Sequence, residues 1–123
     1  MFLEIAEGTV SGERLNGTLL SGGGDWVVLG TDGWGHVDVR GQIGTDDGAF
    51  IYAHYTGLLE LNEATVNAVT TGSATDWSDQ YFRTTPRFET ADERYSWMTT
   101  NLFVAEGHLL EGSGVEYRVF RVS

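Results

Sequence analysis

Apolar and polar residues alternate along most of the chain, and glycine interrupts the alternation at short intervals. Period-two alternation sends successive side chains to opposite faces of an extended backbone, so it predicts half-buried strands rather than helices. The pattern predicts strands over residues 2–6, 14–20, 25–30, 34–43, 49–57, 80–88, 98–110 and 114–122. Short strands at this spacing, joined by Gly and Asp turns, predict one all-β domain over 1–123, an antiparallel barrel or sandwich. Residues 61–71 depart from the pattern: Leu61, Ala64, Thr65 and Ala68 recur at helical spacing and Gly72 offers a stop, which predicts one short helix. Residues 72–79 read as a loop, and Thr90 with Glu93 fits a capping box that would start a second helical turn.

Two hairpins carry a register. Thr45-Asp46-Asp47-Gly48 fits a three-residue connection closed by Gly48 in the left-handed conformation, pairing Thr45 with Ala49. Counting outward sets Gln42 opposite Tyr52 and Arg40 opposite His54. One face of that hairpin then carries His36, Asp38, Arg40, Gln42, Tyr52 and His54, and the other carries Val37, Val39, Ile43, Ile51, Ala53 and Tyr55. A one-residue shift would mix the two sets. Asp32-Gly33 admits two readings. A two-residue turn pairs Thr31 with Trp34 and brings Asp25 opposite Arg40 on the polar face, which is the preferred reading; a three-residue turn puts Trp26 opposite Asp38 instead.

Composition narrows the chemistry. Among 123 residues there are 18 acidic and 7 basic side chains, for a net charge of −11, and every basic residue is arginine. With no lysine and no cysteine, a side-chain Schiff base, a phosphate-loop lysine, a thiol nucleophile, a disulfide and a cysteine zinc site are excluded. The acidic field argues against nucleic acid. No segment approaches the roughly 20 apolar residues of a membrane-spanning helix, and the first residues lack the basic and apolar regions of a secretory leader. A soluble cytoplasmic protein without a membrane partner is therefore expected. His36, Asp38 and His54 share a face, but Arg40 between them would repel a divalent cation, so no metal is expected. Ser21-Gly22-Gly23-Gly24 lacks the lysine of a phosphate loop, and its glycines read as a turn into Asp25-Trp26.

Five ordered segments carry a resemblance. Gly23-Gly24-Asp25-Trp26, Asp38-Val39-Arg40, Thr45-Asp46-Asp47-Gly48-Ala49-Phe50-Ile51, the run Tyr81-Phe82-Arg83-Thr84-Thr85-Pro86-Arg87-Phe88-Glu89-Thr90, and Tyr95-Ser96-Trp97 resemble the bacterial family called domain of unknown function 3237, from Gly8 to Val122. The resemblance implies a soluble antiparallel β-barrel of lipocalin-like proportions and no established reaction. This sequence departs from the family pattern at Met98-Thr99-Thr100, at Ala105-Glu106-Gly107, and in beginning late, without the usual strand ahead of Gly8-Thr9-Val10. A missing strand would leave an edge for a neighbouring subunit to cover, as in a homodimer.

The candidate chemistry lies on the polar face. If that face lines the barrel lumen, Asp25 and Asp38 would hold Arg40, whose remaining donors would meet a carbonyl, enolate or carboxylate. His54, opposite Arg40, would be a neutral general base, with Asp38 as the other proton carrier and Tyr52 as a donor to an oxyanion. Trp26, Tyr81, Arg83 and Glu89 complete the expected ligand-binding set, with Arg83 as the anchor for an anionic group. The simpler reading sends the polar face to water, where Asp25–Arg40 is a surface ion pair, and makes Arg83–Glu89 a structural pair. The expected function is binding of a small carbonyl-bearing or aromatic metabolite, with a cofactor-independent isomerase, cyclase or lyase step. The alternatives are a non-catalytic ligand-binding or carrier barrel and an assembly role.

Overall fold

The computed structural model describes residues 2–4, 8–112 and 114–123. The alternating segments form nine strands: β1 (Phe2–Glu4), β2 (Gly8–Val10), β3 (Gly17–Leu19), β4 (Gly24–Leu29), β5 (Trp34–Thr45), β6 (Phe50–Glu60), β7 (Phe82–Glu89), β8 (Leu102–Leu110) and β9 (Gly114–Val122). They make one antiparallel sheet in the order β1-β4-β5-β6-β7-β8-β9, with β3 on β5 and β2 on β3. The sheet curls into a half-barrel with its apolar face inward, so the expected antiparallel barrel is found. Residues 5–6 of the strand expected over 2–6 lie outside the described residues. The strand expected over 14–20 is confined to β3, and β2 was not anticipated.

The β5–β6 hairpin has the expected register. Thr45 N–H donates to the Ala49 carbonyl at 2.9 Å, Gly48 takes φ +91°, and Gln42 and Arg40 stand opposite Tyr52 and His54. Glycine is required at position 48 because L side chains rarely adopt that φ.

The β4–β5 turn differs from the preferred reading. Thr31-Asp32-Gly33 forms a three-residue loop, so Trp26 stands opposite Asp38, and Asp25 opposite Val39 rather than Arg40. Two local contacts favour this loop: the Asp32 carboxylate accepts from Trp34 N–H at 3.1 Å, and Gly33 adopts φ +87°. The one-residue difference moves Asp25 to the opposite face from Asp38 and Arg40.

Two apolar clusters lie on the inner face. Val27, Val37, Leu59, Phe82 and Leu109 surround Ala68 of α1 (Glu63–Thr71), and Ile43, Ala49, Ile51 and Ala53 pack with Tyr95 and Met98. Asn62 caps α1 by accepting from Thr65 N–H at 2.9 Å, and Gly72 ends it at φ +70°. Tyr95 and Met98 come from a 3₁₀ turn, Glu93–Tyr95, that runs into α2 (Ser96–Thr99). This helical turn is capped by Asp92, which accepts from Arg94 N–H at 3.0 Å, and not by a Thr90–Glu93 box. The Thr90 hydroxyl instead accepts from Asp92 N–H and donates to the Phe50 carbonyl, tying the turn to β6. Because 96–99 are helical, the strand expected from 98 begins at Leu102. No helix among the described residues is long and apolar enough to cross a membrane.

Candidate functional site

The polar face of β5–β6 points outward. Val37, Val39, Ile43, Ile51 and Ala53 are buried, and the pleat then drives His36, Asp38, Arg40, Gln42, Tyr52 and His54 to the other side. His54 Nε2 lies 2.8 Å from Asp38 Oδ1, and Arg40 Nε lies 3.6 Å from the same oxygen. The side chains of Asp38, His54 and Arg40 remain 38%, 35% and 52% exposed. The condition that this constellation line the lumen is therefore not met: burying branched aliphatic side chains outweighs enclosing a charged set. Trp26 joins them outside, 48% exposed, with the Arg40 guanidinium 5.7 Å from its ring. Trp26, Val28, His36, Asp38, Thr56 and Leu58 line an open groove of ≈480 Å³ beside the His54–Asp38 pair. Tyr52 lies further along the face, between Gln42 and Glu89.

The second expected cluster separates. Arg83 donates to the Phe82 carbonyl at 2.9 Å and faces Glu106 at 3.6 Å, while Glu89 sits at the far end of β7 opposite Tyr52. The structural partner of Arg83 is thus Glu106, supplied by β8, which sequence spacing could not reveal. Tyr81 is exposed beside Arg83, at 5.2 Å from ring to guanidinium, and packs edge-on against Trp34.

Asp25 behaves differently from every other residue of the expected set. It shares the inner face with Val27, Val39 and Tyr55, and its Oδ1 is buried without a hydrogen-bond partner among the described residues. Burial raises its pKa; a hydrogen bond from the Asp38 backbone opposes this, and the Asp38 charge adds to it. The sheet's curl brings Tyr117 of β9 to Tyr55 of β6, with ring centroids 5.1 Å apart and nearly perpendicular. Burial pushes the Tyr55 hydroxyl up to about 12, a bond with Tyr117 opposes that, and the Asp25 charge reinforces it. The Tyr117 hydroxyl is pushed well above 10 by burial, by Tyr55 and by Asp25. Both phenols therefore stay protonated at neutral pH beside a carboxylate.

Small residues make this meeting possible. A Cβ at Gly107 would come within 3.0 Å of the Phe82 ring and 3.1 Å of the Tyr117 ring, so glycine there lets the two rings close to 5.4 Å. Thr84, opposite Gly57 on the same inner face, carries a second buried oxygen, Oγ1, without a partner among the described residues. Tyr55 and Tyr117 were not singled out from the sequence. The one available signal was a hydroxyl-bearing side chain at 55 on an otherwise aliphatic hairpin face; nothing local marks Tyr117.

Comparison with known proteins agrees with this architecture. A UPF0311 protein of Clostridium acetobutylicum is 38% identical over 102 residues, a match covering 83% of this chain and 65% of that protein. The chain therefore spans a little under two thirds of that relative. A β-barrel-like protein of Acinetobacter baumannii superimposes with a TM-score of 0.82 at 30% identity, covering 99% of this chain and 77% of that one. A conserved protein of unknown function from Rhodopseudomonas palustris superimposes with a TM-score of 0.90 at 29% identity, covering 99% and 81%. The model of the family described as protein of unknown function (DUF3237) matches residues 1–122, and the chain belongs to that family.

Proposed function

We propose that this chain is a small-molecule-binding β-barrel whose ligand lies on the inner face against Asp25, Tyr55 and Tyr117. The observation that carries the reading is the buried Oδ1 of Asp25, without a hydrogen-bond partner among the described residues, on the face it shares with Tyr55 and the apolar Val27 and Val39. Buried polar atoms are nearly always satisfied, and a few convergent polar groups on an apolar wall are what ligand sites consist of. A metabolite screen read by amide chemical shifts tests it. The expected result is a set of shifts shared by Asp25, Tyr55 and Tyr117; hits confined to the outer face would overturn it.

A second reading keeps the cofactor-independent isomerase, cyclase or lyase, now on the outer groove. It rests on the 2.8 Å contact between His54 and Asp38, which orients an imidazole for proton transfer beside Arg40 and Tyr52 as oxyanion stabilisers. Loss of turnover in His54→Ala and Arg40→Ala, with Asp25→Asn unaffected, would favour this reading; normal turnover in both would remove it. A cytoplasmic location and a homodimer belong to the same proposal. The absence of cysteine suits the first, and light scattering reads the second.

A further inference from the structure

The carboxylate of Asp25 stands where a ligand must answer it, and the chemistry around it selects what kind of ligand does. We infer that the inner site takes a small primary amine with an apolar or aromatic body, its ammonium bonded to Asp25 Oδ1 and its body against the Tyr55 and Tyr117 rings. This deepens the inner-face reading and rests on it.

Three observations point to an amine. First, Oδ1 has no hydrogen-bond partner among the described residues, and the side chains that share its inner face, Val27, Val39 and Tyr55, bring no positive charge. A carboxylate or phosphate ligand would be repelled there, and a neutral hydroxyl would satisfy the hydrogen bond while leaving the half-buried charge uncompensated. An ammonium satisfies both, as a charge-assisted bond. Second, Tyr55 lies on the same face as Asp25, one strand beyond Val39, and its ring meets that of Tyr117; aromatic faces attract a cation within about 6 Å of their centroids. With Tyr117 bonded to Tyr55, the phenolic oxygens give an ammonium further acceptors beside the carboxylate. Third, the net charge of −11, with no lysine, draws organic cations toward the protein and drives anions away. Among the described residues no group of three or more His, Asp or Glu side chains gathers to hold a metal ion, whereas calcium takes six or more oxygens and a transition metal a mixed ligand set. A quaternary ammonium has no N–H to give Oδ1. A primary amine fits every requirement.

The experiment titrates the full chain with matched probes that differ only in the head group. Phenyl, cyclohexyl and indolyl ethyl bodies each carry an ammonium, a hydroxyl or a carboxylate, and binding is read by amide shifts with Asp25→Asn alongside. The expected result places amine-induced shifts at Asp25, Tyr55 and Tyr117, with affinity about tenfold or more above the alcohols. In Asp25→Asn that advantage disappears. The wild-type affinity for amines also falls as the pH drops toward the Asp25 pKa, because the proton competes for the same oxygen. If alcohols or carboxylates bind at these residues as well as the amines, or Asp25→Asn binds amines unchanged, the amine inference is overturned and the inner-face reading stands. If no probe perturbs these residues, the inner-face reading itself is overturned.

Discussion

His108 and Glu116 face each other across β8 and β9 with 2.7 Å between Nε2 and Oε1, while the other ring nitrogen lies 2.6 Å from the Thr75 carbonyl. A carbonyl only accepts, so Nδ1 carries a hydrogen; the carboxylate opposite Nε2 favours a second. The Trp77 ring packs over the imidazole, with centroids 4.1 Å apart, and the Arg118 guanidinium caps Trp77 at 3.8 Å. The loop between α1 and β7 is thereby held against the outer face of the sheet.

Burial pulls the His108 pKa down, but the Glu116 bond, the Thr75 bond and the Glu116 charge together outweigh burial and the opposing Arg118, and the pKa stands above 6.5. The folded protein thus holds this proton more tightly than the unfolded chain. Its contribution to stability is complete below pH 6.5 and is lost as the pH rises through the folded-state value. Removing the carboxylate with Glu116→Gln is expected to lower the NMR titration midpoint of His108 and flatten the fall of Tm across neutral pH. An unchanged midpoint would show that Glu116 does not hold the proton.

Asp25 carries a similar linkage with a different consequence. Its folded-state pKa is raised, so its stabilising contribution is present below 3.8 and lost as the pH rises through the raised value; at neutral pH its ionisation works against the fold. Asp25→Asn is expected to stabilise the protein at pH 7, because it removes a charge whose burial the fold opposes. Urea unfolding at pH 7 and pH 3.5 reads this directly: the gain shrinks at the lower pH. A variant less stable than wild type at pH 7 would mean the carboxylate already has a compensating partner.

Gly57 of β6 stands directly opposite Thr84 of β7, with no room for a side chain. A Cβ there would meet the Arg83 carbonyl oxygen at 2.1 Å and the Thr84 Cα at 2.8 Å. Backbone cannot step aside as a side-chain tip can, so Gly57→Ala is expected to cost about 1–3 kcal/mol, the range for overpacking a well-packed interior. Gly35→Ala is the control, because its nearest neighbours lie at 3.6 Å, ordinary contact. Equal stability of the two variants would contradict the close approach.

Asn62 ties three segments together. Its carbonyl caps α1 at Thr65 N–H, and its amide donates to the Asp79 carbonyl at 2.7 Å and to Glu60 at 3.1 Å. Asn62→Ala is expected to lower stability by about 1–2 kcal/mol, the upper part of the range for losing a capping side chain. Faster amide exchange in both α1 and the 76–81 loop should accompany it; exchange confined to α1 would reduce Asn62 to a local cap.

Much of the architecture is legible in the sequence, and the reasons are local. The alternation from Trp34 to Thr45 and the Asp46-Asp47-Gly48 turn are enough to specify the β5–β6 register, because only one pairing keeps the valines and isoleucines on a single face. The helical spacing of residues 61–68 and the stop at Gly72 announce α1 by equally local chemistry, while its Asn62 cap emerges from the structure. The ordered motifs from Gly23 to Trp97 carry the family resemblance for the same reason, since each is a contiguous run.

The turn at Thr31-Asp32-Gly33 was not decidable in this way. Two- and three-residue loops suit the same residues, and the choice moves Asp25 from one face of the sheet to the other. Arg83 finds Glu106 rather than Glu89 because β8 lies beside β7, a neighbour relation that no spacing along the chain encodes.

Alternating polarity, turn chemistry and composition by themselves determined an acidic, all-β, antiparallel chain with one capped helix, and which side chains share each strand face. Tertiary structure alone decided which distant side chains meet. Curling the sheet carries Tyr117 to Tyr55 across 62 positions of sequence, on the face that also holds Asp25. Strand faces follow from a period of two, a property of the extended backbone; a meeting across a curled sheet depends on how every intervening strand twists and packs.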